Sequence, residues 1–226
     1  MKRLALLLLS VAFSLLAVAD RSLVLAQPRV ERGFTTAVSE RLIEAYSLRF
    51  GAAARGRLEA WRRYAAQRKG AAPAETELLA EVNRTLNRIR FVDDASHWGE
   101  ADYWATPAES VGSNGGDCED FSIAKYFLLK ELGVPISRLR MTYVKAVKLN
   151  QAHMVLAYYP RPDAEPLVLD NLEDGVRPAS QRADLVPVYS FNDEEVWIEA
   201  RGRSGSPRQI RNWNLLLERL ERELRT

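Results

Sequence analysis

Cysteine occurs once in this chain, as Cys118, so no disulfide can close within it. Histidine occurs only at His97 and His153. An excess of one charge is also missing. The chain carries 32 Lys and Arg against 30 Asp and Glu, and setting aside Lys2, Arg3, Arg21 and Asp20 with the first 26 residues leaves 29 of each. The slight basic balance belongs to the leader, and nothing in the bulk charge points to nucleic-acid binding. Internal repeats and low-complexity tracts are absent, and beyond the N-terminus no stretch is apolar enough to cross a bilayer.

The long apolar run that is present, Leu4 to Val18, follows the basic Met1-Lys2-Arg3 and precedes Ser22-Leu23-Val24-Leu25-Ala26-Gln27. That is the layout of a secretory signal with cleavage after Ala26. A run of about 15 residues is short for a membrane span, which needs roughly 20, so cleavage is expected rather than an uncleaved anchor. The expected organisation is a signal peptide at 1–26, a helical N-terminal subdomain at 27–92, and a core at 93–226 that ends in a helix. Export makes the lone cysteine informative. Exported chains use cysteines in pairs, and an odd one is an intermolecular link, a reactive thiol or a buried small hydrophobe.

Three amphipathic stripes predict helices over residues 36–92. They are Ala37, Leu42, Ile43, Tyr46 and Phe50; then Leu58, Trp61, Tyr64 and Ala65; then Leu78, Leu79, Val82, Leu86 and Ile89 within Thr76 to Phe91. Residues 92–117 lack strong periodicity, contain several glycines, and read as a long loop rich in Trp98, Tyr103 and Trp104. His97 reads as a loop residue. After residue 133 the pattern turns to strands: Arg140–Val147, Ala152–Tyr159 and Pro166–Asn171, then short ones at Tyr189–Phe191 and Val196–Glu199. Pro207–Arg225 is an amphipathic helix through Ile210, Trp213, Leu216, Leu217, Leu220 and Leu224.

Chemistry concentrates in Gly115-Gly116-Asp117-Cys118-Glu119-Asp120-Phe121, the expected start of a helix that runs through Ala124, Lys125, Leu128 and Leu132 to Gly133. A cysteine in a first helical turn faces free N–H groups and the positive end of the helix dipole, and both favour thiolate. Its partners come from the strands. If the second and third strands form a hairpin about Pro160–Asp163, opposed residues have numbers summing to about 323, as His153 and Asp170 do. Opposed residues share a face and touch. Cys118, His153 and Asp170 thus form a nucleophile, base and orienting group. Taken singly, a strand histidine is more often structural and a strand-end aspartate more often a turn former.

Asp102-Tyr103-Trp104-Ala105-Thr106-Pro107, Gly116-Asp117-Cys118-Glu119-Asp120-Phe121, His153-Met154-Val155-Leu156 and Leu167-Val168-Leu169-Asp170-Asn171-Leu172 resemble, in that order, the bacterial transglutaminase-like cysteine peptidases of the LapG type. The resemblance runs from about Trp98 to Tyr189-Ser190-Phe191-Asn192. It implies an α+β fold with a papain/transglutaminase-like core, the cysteine helix packed on an antiparallel sheet, and a helical N-terminal part. It also implies a Cys118/His153/Asp170 triad in a periplasmic endopeptidase. Such enzymes cut the N-terminal region of a large surface adhesin near a di-alanine sequence, releasing it from the outer membrane, and an inner-membrane receptor for cyclic di-GMP sequesters them. The family depends on calcium, which gives a role to Asp117, Glu119 and Asp120. As bare charges they would raise the thiol pKa, and a hard cation with oxygen ligands would neutralise them. The alternative is that Glu119 and Asp120 are simply first-turn acids that suit the helix N-terminus. Two other functions fit the same residues: a transglutaminase-type acyltransferase or amidase using the same triad, and a non-catalytic periplasmic binding module.

Overall fold

The computed structural model describes residues 38–226 except 70, 72, 199–201 and 204; the expected signal peptide lies outside them. Helix α1 (Glu40–Phe50) starts behind Ser39, whose hydroxyl accepts the Leu42 N–H at 3.0 Å. It is followed by α2 (Ala53–Arg68) and α3 (Glu75–Leu86). The third apolar stripe continues to Ile89, yet α3 stops at Leu86. The side-chain amide of Asn87 donates to the Asp170 carbonyl (2.9 Å) and to Asp174 Oδ1 (3.1 Å), which turns the chain into the short strand β1 (Arg90–Phe91).

The loop expected over 92–117 contains two short helices. Helix α4 (Asp94–His97) is capped by Asp93, and α5 (Pro107–Ser113) by a capping box in which Thr106 and Glu109 satisfy each other's backbone N–H. Then comes β2 (Gly115–Gly116), parallel to β1, and α6 (Cys118–Glu131). The rest is the sheet: β3 (Leu139–Ala146), β4 (Gln151–Tyr158), β5 (Leu167–Asp170), β6 (Glu173–Pro178), β7 (Leu185–Phe191), β8 (Val196–Ile198) and β9 (Gly202–Arg203), closed by α7 (Arg211–Arg225).

The seven strands lie in the order β6-β5-β4-β3-β7-β8-β9 and pair antiparallel throughout. This is the α+β arrangement expected, with the cysteine helix on an antiparallel sheet. Strand β6 escaped the sequence reading because Glu-Asp-Gly-Val-Arg-Pro has no alternating pattern. It forms the edge of the sheet, where proline costs no ladder hydrogen bond.

Helix α6 is buried along Asp120–Leu129 and packs on the sheet face that presents Met141, Met154, Leu156 and Leu169. One apolar cluster joins these residues to Leu42, Ile43 and Leu58 of the N-terminal helices and to Trp213, Leu216 and Leu220 of α7. A smaller cluster of Val144, Val155 and Val168 covers the other face, with Ala179 and Leu185 packed against it. Among the described residues no helix is long and apolar enough to cross a membrane.

Trp213 shows what α7 is for. It is 1% exposed, stacks on Phe127 at 5.7 Å, and takes edge contacts from Tyr126 and Phe191 at 6.0 and 5.6 Å. Removing it opens a cavity that the surrounding rings cannot close. Trp213→Ala should therefore cost about 3–5 kcal/mol in denaturant unfolding, while Leu215→Ala on the exposed side of the same helix should stay within about 0.5 kcal/mol. Equal, small losses in both would mean that α7 is not part of the core.

Candidate active site

Cys118 is the first residue of α6, with Asp117 as the N-cap. The turn is held from within. Asp120 accepts the Ala105 N–H on Oδ1 (2.7 Å) and the Asp117 N–H on Oδ2 (3.3 Å). The two glycines ahead of it are required by close approach rather than by a left-handed backbone. A Cβ at Gly116 would stand 2.6 Å from Asp120 Oδ2, and one at Gly115 would stand 2.6 Å from His97 Cε1. His97, expected as a loop residue, closes α4. Its Nε2 pairs with Ser113 Oγ at 2.8 Å, and its ring packs behind the glycines. Asn114, just before them, adopts the left-handed conformation (φ 57°) that ends α5.

Around this turn the fold gathers more acid than the sequence indicates. Asp94 and Asp102 join Asp117, Glu119 and Asp120. Carboxylate oxygens of Asp94, Asp117 and Asp120 lie within 4.8 Å of one another, as do those of Asp94, Asp102 and Glu119. Asp94 and Asp102 sit on the segment that approaches from α4, too far along the chain for local spacing to reveal them. Among the described residues no lysine or arginine forms an ion pair with Asp94, Asp117, Glu119 or Asp120. Burial, followed by the neighbouring charges, lifts the carboxyl of Asp94 to about 6 and that of Asp117 to about 8. Burial likewise raises Glu119, and lifts Asp120 well above the carboxylate range. The thiol of Cys118 is pushed upward by burial and then by the charge of Glu119, whose Oε2 it meets at 3.1 Å. In this state the acids override the helix dipole.

Two oxygens in the cluster, Asp94 Oδ1 and Asp117 Oδ1, are buried without a hydrogen-bond partner. Buried acceptors are normally satisfied. Orphaned carboxylate oxygens of neighbouring side chains, with no lysine or arginine paired to them among the described residues, are a donor set suited to a hard divalent cation. The two further acids expected at this site differ. Glu119 faces the cavity, while both oxygens of Asp120 already accept backbone N–H groups.

On the sheet, His153 Nε2 pairs with Asp170 Oδ1 at 2.8 Å, with both side chains buried. The register differs from the expected one. Leu156 opposes Leu169 and Tyr158 opposes Leu167, which displaces the frame by two residues. The displacement is even, so it preserves the face, and His153 reaches Asp170 as a diagonal rather than a directly opposed neighbour. Asp170 Oδ1 also accepts the Leu172 N–H (3.0 Å), and Oδ2 accepts from Arg182 (2.7 Å). Burial alone would raise this carboxyl, but the His153 hydrogen bond and charge, the Leu172 N–H and Arg182 together bring it down to about 2. Arg182 was not anticipated from the sequence. It lies in the connection between β6 and β7, where no local pattern links it to Asp170.

Ser122, one turn beyond Cys118, binds the helix to the histidine strand: its Oγ lies 3.1 Å from Met154 O and 2.9 Å from Cys118 O. Cys118 and His153 consequently line one open cavity of about 790 Å³. Asp117, Glu119, Trp104 and a stacked pair, Tyr143 and Tyr189 with ring centroids 5.3 Å apart, contribute to its walls. Trp104 therefore walls the cleft, and its indole N–H is taken by Asp102 Oδ1 at 3.0 Å. Such an arrangement, a thiol at a helix start sharing a cavity with an imidazole fixed by a carboxylate, is equipped for acyl transfer through a thioester.

Comparison with known proteins agrees with this geometry. Residues 59–204 match the family model described as bacterial transglutaminase-like cysteine proteinase. The solved structure of Legionella pneumophila LapG is 38% identical, with a TM-score of 0.67 over 79% of this chain and 97% of that one. The calcium-bound form of the same protein is 39% identical with a TM-score of 0.68, covering 80% of this chain and 98% of that one. The EGTA-treated form gives 38% and 0.68 over 79% and 97%. No curated protein matches the chain significantly. With the family model covering most of the chain and these structures matching nearly their whole length, the chain belongs to the bacterial transglutaminase-like cysteine proteinases and is a cysteine peptidase.

Proposed function

We propose that this protein is a calcium-dependent periplasmic endopeptidase that cuts the N-terminal region of a large surface adhesin, near a di-alanine sequence, through a Cys118–His153–Asp170 triad. The observation that carries the proposal is one cavity lined both by Cys118, at the start of α6, and by a histidine bonded to a buried carboxylate. The thiolate of Cys118 attacks the scissile carbonyl and forms a thioester. His153 takes the thiol proton and returns it to the leaving amine, and water then hydrolyses the thioester. Asp170 holds one imidazole nitrogen and leaves the other for the thiol. The N–H of Cys118, first in its helix, is an oxyanion donor.

Calcium is assigned to Asp94, Asp102, Asp117 and Glu119, where it would neutralise the carboxylates that otherwise hold the thiol protonated. Asp120, bonded to the Ala105 and Asp117 N–H groups, keeps the loop in place from behind. Support for calcium comes from the orphaned oxygens of Asp94 and Asp117 and from the calcium-bound LapG structure. The adhesin and a sequestering inner-membrane receptor for cyclic di-GMP rest on the family resemblance, and the periplasmic location on that resemblance and the apolar leader.

Four sets of outcomes test the proposal. Cys118→Ala and His153→Ala should each slow cleavage of a recombinant adhesin N-terminal fragment containing Ala-Ala by at least about a thousandfold. The periplasmic domain of the receptor should suppress the wild-type activity, and incorporation of an amine probe without peptide cleavage would refute the proteolytic reading. Calcium at 100 times its Kd should stabilise the wild type by about 2.7 kcal/mol. That stabilisation should vanish in Asp117→Asn and Glu119→Gln, shrink in Asp94→Asn, and be reversed along with cleavage by a chelator; unchanged thermal midpoints would remove the ion from this cluster. Finally, protein recovered from a periplasmic fraction should begin at Gln27, and recovery of the intact N-terminus from membranes would overturn export with cleavage.

A further inference from the structure

Among the described residues, Arg182 is the one arginine whose charge is spent on the triad's carboxylate. It is 6% exposed, and its guanidinium bridges two acids: it donates to Asp170 Oδ2 at 2.7 Å and to Asp184 at 3.0 and 3.1 Å. Glu173 Oε2 stands 3.8 Å from its Nε. The turn that carries Arg182 is fixed on both sides. Its own N–H donates to Ala179 O, Leu185 N–H donates to Arg182 O, and Asp184 O receives the Val147 N–H from beyond β3. Ala179 and Leu185 seat the same segment on Val144, Val155 and Val168. Arg182 does not line the cavity, so it reaches the reaction only through Asp170 and His153.

We infer that Arg182, oriented by Asp184, is a positioning residue that holds Asp170 in a single orientation and moderates the field this carboxylate exerts on His153. The inference rests on the triad reading. The carboxylate has two oxygens and two masters. Oδ1 serves the imidazole, while Arg182 Nη2 donates to Oδ2 and the Nε–Nη2 fork is itself held by Asp184, so the carboxylate is kept from rotating or swapping oxygens. The positive charge also offsets part of the attraction that Asp170 offers to an imidazolium. The other charged or titratable groups facing this pair are Cys118 and Lys125 on α6, Asp174 on β6, Glu173 and Asp184. None of them contacts Oδ2.

Two measurements on the purified, calcium-supplemented protein test the inference. The first is NMR titration of the two histidines in a Cys118→Ala background, with His97 as an internal reference. Arg182→Met should move the His153 pKa upward by about one unit, because a positive charge has been removed near an imidazolium. Arg182→Lys should leave it near the wild-type value, and Asp184→Asn should move it downward, because Arg182 then acts on Asp170 less neutralised. The second is cleavage kinetics with Cys118 present. Arg182→Lys keeps the charge without the fork and should lower kcat about 10–100-fold, as outer partners of oriented imidazoles do, with KM unchanged. A His153 titration that is the same in Arg182→Met and wild type, a shift of the wrong sign in Asp184→Asn, or a change in KM alone would overturn it. If Arg182→Met fails to fold, the opposite-signed Asp184→Asn shift and the Lys variant decide. The triad reading fails separately, through Cys118→Ala or His153→Ala that still cleaves.

Discussion

Carboxylates without counter-charges are the constraint on which the site depends. Asp94, Asp102, Asp117, Glu119 and Asp120 converge on the first turn of α6; Asp94 and Asp120 are buried and Asp117 and Glu119 half-buried, which makes their repulsion costly. Asp170, some strands away, is equally buried but receives an imidazole, an arginine and a backbone N–H. The consequences run in opposite directions. Asp170 is held at about 2, whereas burial and the charge of Glu119 push Asp117 up to about 8. One carboxylate is completed by the chain itself, and the cluster beside the thiol is left for something outside the chain to complete.

The acid turn is also the point where distant parts of the chain meet. Three consecutive residues make the connection. Trp104 O accepts from Arg219 of α7, the Ala105 N–H goes to Asp120, and the Thr106 hydroxyl donates to Glu223 of α7 at 2.6 Å. Tyr46 of α1 donates to the same Glu223 oxygen, and Arg49 of α1 pairs with Glu109 of α5 at 3.0 Å. Burial raises Glu223 to about 8. The first and last helices are therefore locked together through the segment that walls the cavity and pins the helix start. Trp213 supplies the apolar part of the same closure. The C-terminal amphipathic helix is thus consumed largely by packing.

What was legible in the sequence followed from periodicity and from residue types that are rare in this chain. The amphipathic stripes located α1, α2, α3, α6 and α7, and alternation located β3, β4 and β5. The short helices α4 and α5 were lost because four and seven residues are too few to show a helical period. The Thr106-Pro107-Ala108-Glu109 box was nevertheless a readable signal for α5. Within the site, Cys118, His153 and Asp170 stood out because each is scarce or follows a strand. Asp94, Asp102 and Arg182 did not, because each reaches the site from a separate segment and looks like an ordinary surface charge. The hairpin frame was misplaced by two residues, and the pairing survived because a shift of two keeps a side chain on its face.

Arg182 owes its place to topology more than to local sequence. Strand β6 forms one edge of the sheet and β7 lies beyond β3, so the connection from Pro178 to Leu185 passes β5, β4 and β3. Pro178 lies level with Leu139 at one end of β3, and Leu185 pairs with Ala146 at the other, so the connection also crosses the sheet diagonally. It runs close over the sheet, on the face opposite α6, where Ala179 and Leu185 find Val144, Val155 and Val168. Its middle residues then face the ends of β4 and β5, which carry His153 and Asp170. A polar side chain there must satisfy a buried carboxylate oxygen or leave it bare, and arginine, with a fork wide enough for both Asp170 and Asp184, does the first. The crossover that closes the sheet therefore also seals the back of the histidine pair from water, which is why the imidazole and its carboxylate are buried while the cysteine side of the cavity stays open.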